Sequence, residues 1–481
     1  YLMFLLAINI GGALQPLFDV GSVALFVHGI QWIGYTLHFP DWLTIFLAQG
    51  LGGGINTVLP LVPQIGMMYL FLSFLEDSGY MARAAFVMDR LMQALGLPGK
   101  SFVPLIVGFG CNVPSVMGAR TLDAPRERLM TIMMAPFMSC GARLAIFAVF
   151  AAAFFGQNGA LAVFSLYMLG IVMAVLTGLM LKYTIMRGEA TPFVMELPVY
   201  HVPHVKSLII QTWQRLKGFV LRAGKVIIIV SIFLSAFNSF SLSGKIVDNI
   251  NDSALASVSR VITPVFKPIG VHEDNWQATV GLFTGAMAKE VVVGTLNTLY
   301  TAENIQDEEF NPAEFNLGEE LFSAIDETWQ SLKDTFSLSV LMNPIEASKG
   351  DGEMGTGAMG VMDQKFGSAA AAYSYLIFVL LYVPCISVMG AIARESSRGW
   401  MGFSILWGLN IAYSLATLFY QVASYSQHPT YSLVCILAVI LFNIVVIGLL
   451  RRARSRVDIE LLATRKSVSS CCAASTTGDC H

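Results

Sequence analysis

The sequence predicts an all-α, polytopic integral membrane protein built from two repeats that contain broken or re-entrant helices. Three observations carry this. Apolar residues make up 55% of the 481-residue chain and charged residues 13%, about half the charge of an ordinary soluble domain, and mean hydropathy is +0.65. Several apolar runs reach the ~20 residues a spanning helix needs. Two short sequences also recur in the same order. GYMARAAFVM at Gly79–Met88 is echoed by GAMAKEVVVG at Gly285–Gly294, and SVMGA at Ser115–Ala119 returns unchanged at Ser387–Ala391. A repeated half is the pattern of many transporters. So few charges cannot cover a soluble body, and a net charge of −3 gives no basic field for nucleic acid.

The elements follow in order. Residues 1–40 read as a first membrane helix, Tyr1–Phe18, and an interfacial segment, Val20–Phe39, with two histidines and a tryptophan. The chain opens inside an apolar run, which reads as a cut at or just before a helix with more chain upstream. Residues 41–185 form the first repeat. Trp42–Leu59 and Leu61–Leu75 are modest spans; Met130–Phe155 and Ala160–Tyr183 are strong ones. Gly79–Leu95 and Phe102–Arg120 are interrupted by Gly, Pro or charge. Residues 186–217 carry Arg187, Lys206, Arg215 and Lys217 and read as a cytoplasmic linker. Residues 218–450 form the second repeat, with spans at Gly218–Phe240, Ala369–Arg394, Gly399–Tyr425 and Tyr431–Leu450, an interrupted segment at Val271–Tyr300, and a polar, acidic insertion at 301–366 whose solvated loop lengthens the second copy. Residues 451–481 are a Cys-rich tail. It opens with RRARSR, which the positive-inside rule holds in the cytoplasm. The parity closes only if Val271–Tyr300 does not cross completely.

Broken apolar segments mark where a pathway belongs, because irregular backbone at membrane depth is tolerated only beside protein or a wet cavity. In PLIVGFGCNVPSVMGAR, Pro104–Arg120, two prolines and three glycines loosen the helix around Cys111, Asn112 and Ser115. Cys140 lies between Pro136 and Gly141, and Cys385 follows Pro384. Thiols at three such breaks, with Met117 and Met389 nearby, suit a soft or borderline transition metal better than a hard cation; a purely structural reading makes them small packing residues. Seven cysteines, an odd number divided between apolar runs and the tail, do not read as a disulfide framework. Glu290 inside GAMAKEVVVG reads as a carboxylate ligand, a proton carrier or the partner of Lys289. Glu76 and Asp77, closing an apolar run, are further candidate ligands. Arg83, Arg120 and Arg143 read as snorkelling or helix-capping groups. ALGLPGKS at Ala94–Ser101 fits a relaxed phosphate-loop pattern but lacks the strand before it that such a loop needs, and no catalytic site is evident.

At GFGCNVPSVMGAR, APFMSCGAR and GAMAKEVVVG the chain resembles the membrane part of the FeoB family of bacterial ferrous iron permeases. Its paired repeats are called Gate repeats, and the likeness covers essentially the whole chain. The resemblance implies Fe²⁺ as the transported substrate at the bacterial inner membrane, with Cys111, Cys140 and Cys385 on its route. It also implies an upstream G domain that would bring GTP and Mg²⁺ and make the longer protein a GTPase-coupled transporter, and small cytoplasmic partners of the FeoA and FeoC type. A homo-oligomer stays open. Gate repeats also resemble those of nucleoside carriers, so a secondary carrier of a nucleoside or other small solute is the first alternative, and a membrane scaffold that moves nothing is the second.

Overall fold

A computed structural model describes residues 10–186, 200–239, 253–287, 289, 291–301, 317–335 and 356–474, and those residues form helices and connecting turns with no strand among them. Among the described residues, seven helical stretches are long and apolar enough to cross a membrane: Ile10–Thr36, Gly50–Asp77, Pro125–Phe155, Gly159–Thr184, Ala369–Glu395, Arg398–Ala423 and Pro429–Arg452.

Each half of the chain repeats one order: a helical hairpin, a broken span, an unbroken span. In the first half Phe102–Val107 and Asn112–Gly118 fold back on each other. Lys100 pairs with Asp123 at 3.4 Å, so both ends of this hairpin lie on one face. Pro125–Phe155 then crosses with a break at 138–140, and Gly159–Thr184 crosses back. In the second half Trp276–Met287 packs on Val291–Thr301, and the Tyr300 hydroxyl donates to Asn275 Oδ1 at 2.8 Å, closing that hairpin at its mouth. Ala369–Glu395 crosses with a break at 382–385, and Arg398–Ala423 returns. The two unbroken helices have 26 residues each, about 39 Å at 1.5 Å per residue, enough to span with tilt. Local chemistry sets their starts. Pro125 occupies the first turn of its helix, and the Ser368 and Ser397 hydroxyls accept from the Ala371 and Trp400 N–H groups.

The halves are inverted relative to each other. The first broken span begins where the second ends, because Arg128 Nη2 donates to the Glu395 carbonyl at 2.9 Å. This face also gathers Lys100, Arg120, Arg126, Lys182, Arg394 and Arg398; Lys182 donates to the Ala94 carbonyl and Arg126 to that of Met186, both at 2.9 Å. The first hairpin opens on this basic face. The second opens on the opposite one. There Gln421, at the far end of Arg398–Ala423, donates to the Pro268 carbonyl at 2.9 Å, and Phe154, at the far end of the first broken span, stacks edge-on against Phe366. Val271–Tyr300 is not one continuous helix, since Trp276–Met287 packs on Val291–Thr301.

Four sequence expectations change. Residues 10–36 form one continuous helical stretch with a π-helical turn at Val23–His28, where a span and an interfacial segment were expected to part near residue 19. The modest pieces on either side of Pro60 join into Gly50–Asp77; Gly50 and Gly54 pack there against Ser235 and Ser231 of Lys225–Ser239, a close crossing of small residues. Part of the acidic insertion is helical, Leu317–Thr335, packed on Gln15–Ser22 with Glu320 bonded to His28 Nδ1 at 2.9 Å. The last span continues as helix through the basic run to Ala474.

Candidate metal pathway

The breaks follow from sequence. Pro104 and Pro114 lack N–H donors, and at Gly108 a Cβ would sit 3.0 Å from the Met138 Cβ, so only glycine lets the first hairpin's tip approach the broken span. Gly141 N–H donates to the Gly110 carbonyl at 3.2 Å. Cys111 and Cys140 therefore flank one shared hydrogen bond between hairpin tip and broken span.

All three predicted cysteines occupy the same local position. Cys111, Cys140 and Cys385 are the N-cap residues of Asn112–Gly118, Gly141–Phe150 and Ile386–Glu395, in extended backbone conformations, and none of the thiols bonds the helix it precedes. Each is partly accessible and in no disulfide. The two helices bearing SVMGA pack against each other, and Cys111 and Cys385 both lie against the central apolar cluster. The two SVMGA copies nevertheless occupy unlike elements, one on the return arm of a hairpin and one on a broken span, so the repeated words and the repeated architecture are out of step.

Asn112 and Ser115 follow Cys111 on the same short helix and are 4% and 0% exposed. Asn112 Nδ2 donates to the Met138 carbonyl at 3.3 Å. Asn112 Oδ1 and Ser115 Oγ have no hydrogen-bond partner among the described residues. A buried acceptor left unsatisfied costs about 1–3 kcal/mol, so these two oxygens beside a thiol are candidate ligand positions.

The remaining predicted groups fall elsewhere. Glu76 bonds Arg215 at 2.9 Å and Asp77 accepts from Gln211 at 3.4 Å, at the end of Leu61–Asp77. Glu290 lies outside the described residues. Its neighbour Lys289 is buried, with Nζ 5.1 Å over the Tyr382 ring, which ties the second hairpin's tip to the second break. No group of three or more His, Cys, Asp or Glu is clustered for a metal among the described residues.

Two features were not legible as functional. Arg143, expected to snorkel or to cap a helix end, is fully buried and so does not snorkel. It does cap a helix end, but inside the protein: Nη1 donates to the Met138 carbonyl at 2.9 Å and Nη2 to the Pro136 carbonyl at 3.1 Å. Glu395, which the sequence reading passed over, takes Arg120 on both carboxylate oxygens, Arg128 at 3.1 Å and Arg394 at 3.6 Å. Hydrogen bonding to that carboxylate holds the Arg120 guanidinium above its ordinary range. The only advance signal was the Arg-Glu pair ending the apolar run at 394–395.

A pair of inverted repeats, each with a re-entrant hairpin whose tip meets a broken span, defines a membrane transporter class of architecture. A Gate family profile described as nucleoside recognition matches residues 58–154 and 220–398, and one described as the C terminus of ferrous iron transport protein B matches 163–215. The chain is 99% identical over all 481 residues to an Fe(2+) transporter FeoB of Shigella flexneri, 94% identical over the same length to one of Salmonella typhimurium, and 49% identical over 453 residues to one of Legionella pneumophila. It spans 62% of the length of the first two relatives and 60% of the third. No solved structure matches it. The chain belongs to the FeoB family and comprises its paired Gate region.

Proposed function

We propose that this chain forms the route by which Fe²⁺ enters the cell across the bacterial inner membrane. The ion sheds water at the breaks bearing Cys111, Cys140 and Cys385 and passes between the inverted halves. The observation that carries this is the pair of unpartnered, buried oxygens, Asn112 Oδ1 and Ser115 Oγ, directly after Cys111 at a junction shared with Cys140. Thiols with a few neutral oxygens suit a borderline divalent ion, and a mixed set releases what a pure thiolate cage would trap. Arginines and lysines concentrated on one face support placing that face, and the C-terminus beyond Arg451, in the cytoplasm. GTP, with its Mg²⁺, acts through a G domain of the longer protein and biases opening from that side, where small partners of the FeoA and FeoC type also bind.

The test is uptake by the complete protein in liposomes with GTP, offering Fe²⁺, Mn²⁺, Zn²⁺ and a nucleoside separately. Iron flux that falls when Cys111 and Cys140 become serine, at normal protein levels, supports the reading; unchanged flux removes it. The nucleoside-recognition description of the Gate profile favours one rival, a solute carrier. It predicts nucleoside flux indifferent to those cysteines.

A further inference from the structure

We propose that Arg143 sets the metal preference of the pathway by occupying the backbone carbonyls that the first break exposes. This rests on the reading of the cysteine breaks as part of the cation route.

A helix interrupted inside a bilayer leaves the carbonyls of its last turn without N–H partners. Such carbonyls are the usual ligands of hard cations at membrane depth, where they replace the hydration shell. At the first break two of them are closed off. Arg143 lies three residues past Cys140, at 0% exposure, and reaches back to bond the carbonyls of Pro136 and Met138. Asn112 Nδ2 adds a second donor to Met138. Arg143 N–H closes the Cys140 carbonyl at 3.0 Å, and Gly141 N–H closes that of Gly110. The donors at this junction thus turn toward four carbonyl oxygens, those of Gly110, Pro136, Met138 and Cys140, while Asn112 Oδ1 and Ser115 Oγ stay buried without a hydrogen-bond partner among the described residues.

The charge acts in the same direction. No carboxylate among the described residues pairs with Arg143, and its Nε has no hydrogen-bond partner. An uncompensated guanidinium in low dielectric repels every arriving cation. Only an ion that gains strongly from sulfur overcomes that repulsion. Calcium and magnesium, which depend on oxygen ligands, gain least. Arg143 is thus a positioning residue: it touches the carbonyls, and through them it decides which ion the break accepts.

The experiment uses the complete protein in liposomes, comparing wild type with Arg143→Gln and Arg143→Lys. Two quantities are read: sulfur-to-cobalt charge-transfer absorbance on adding Co²⁺, and the inhibition of Fe²⁺ uptake by Ca²⁺ and Mn²⁺. In Arg143→Gln we expect the cobalt band to persist while Ca²⁺ and Mn²⁺ inhibit about tenfold more strongly relative to iron, the scale of outer-sphere effects on metal affinity. Arg143→Lys, which keeps the charge without the flat fork, shifts the same way by less, and it carries the test alone if the glutamine variant does not insert. A cobalt band in wild type with an unchanged preference in the variants overturns this inference and leaves the cysteine reading standing, whatever happens to total uptake. Absence of the band in wild type removes the cysteine reading and this inference with it.

Discussion

The two broken spans share an architecture and differ in what holds the break. At the first, a hairpin tip is bonded through backbone to the residue after Cys140, and a buried guanidinium clamps two carbonyls. At the second, the hairpin tip meets an aromatic ring: Lys289 lies over Tyr382, whose hydroxyl packs on Gly285, while Tyr375 donates to the Ala278 carbonyl at 3.0 Å. Polar, directional bonds fix the first break in one geometry. At the second the hairpin tip is held by packing against a ring, with one tyrosine hydrogen bond beside it. The candidate ligands follow the same division, with Cys111, Cys140, Asn112 and Ser115 at the first break and Cys385 at the second. On the proposed reading, most of the candidate ligands therefore belong to the first half.

The strongest test of that division lies where the halves are tied. Glu395, from the second half, has a side chain 2% exposed and takes two arginines from the first. Glu395→Gln takes the charge from a buried carboxylate that accepts from Arg120 and Arg128, themselves 50% and 34% exposed, and should cost about 1–3 kcal/mol, the range for hydrogen bonds to a charged group. Thermal unfolding in detergent reads the loss. Arg394, 3.6 Å away and 41% exposed, should matter by less than about 1 kcal/mol when made Gln, as exposed pairs do. Equal effects would mean the clasp does not join the halves.

Next come the cysteines. Initial rates of Fe²⁺ uptake should fall about 100-fold in Cys111→Ser with Cys140→Ser and about tenfold in Cys385→Ser, the range expected when metal contacts are lost or weakened. The reverse order would place the gripping site in the second half and undo the comparison.

Much of this plan was legible in the sequence, because the bilayer constrains it so tightly. Proline and glycine in apolar segments located the breaks, and length fixed the unbroken helices. Parity required the hairpin at Val271–Tyr300. Inversion was not legible. It depends on contacts between distant residues such as Arg128 and Glu395, while the repeated SVMGA pointed to an alignment of unlike elements. For Arg143 the capping role was legible and its burial was not, because the carbonyls that satisfy it are freed only by the break itself.

A smaller effect probes how closely a neighbouring helix approaches each break. A Cβ at Gly170 would lie 2.8 Å from the Phe137 carbonyl oxygen, whereas one at Gly408 would lie 3.2 Å from that of Leu381. The first distance forces a shift and the second only a slight adjustment. Gly170→Ala should therefore destabilise by about 1–3 kcal/mol, the usual range for overpacking, and Gly408→Ala by less. Melting temperatures in detergent compare them directly, and a larger loss at Gly408 would make the second break the more tightly packed.

The smallest effect separates a ligand from a packing group. Ser115 and Ser387 are the same letter of the repeated SVMGA. Ser115 Oγ is wholly buried without a partner among the described residues, while Ser387 is partly exposed. Ser115→Ala removes an unsatisfied hydroxyl, so the metal-free protein should become more stable by about 1 kcal/mol. The stabilisation that added Fe²⁺ confers on the intact protein should shrink at the same time, because an oxygen that met the ion is gone and bound ligand stabilises only through its affinity for the folded state. Ser387→Ala should move neither quantity. A packing serine would lose stability on truncation and leave the metal response alone, so the opposite signs of the two changes at Ser115 are the mark of a group kept unsatisfied for an incoming ion.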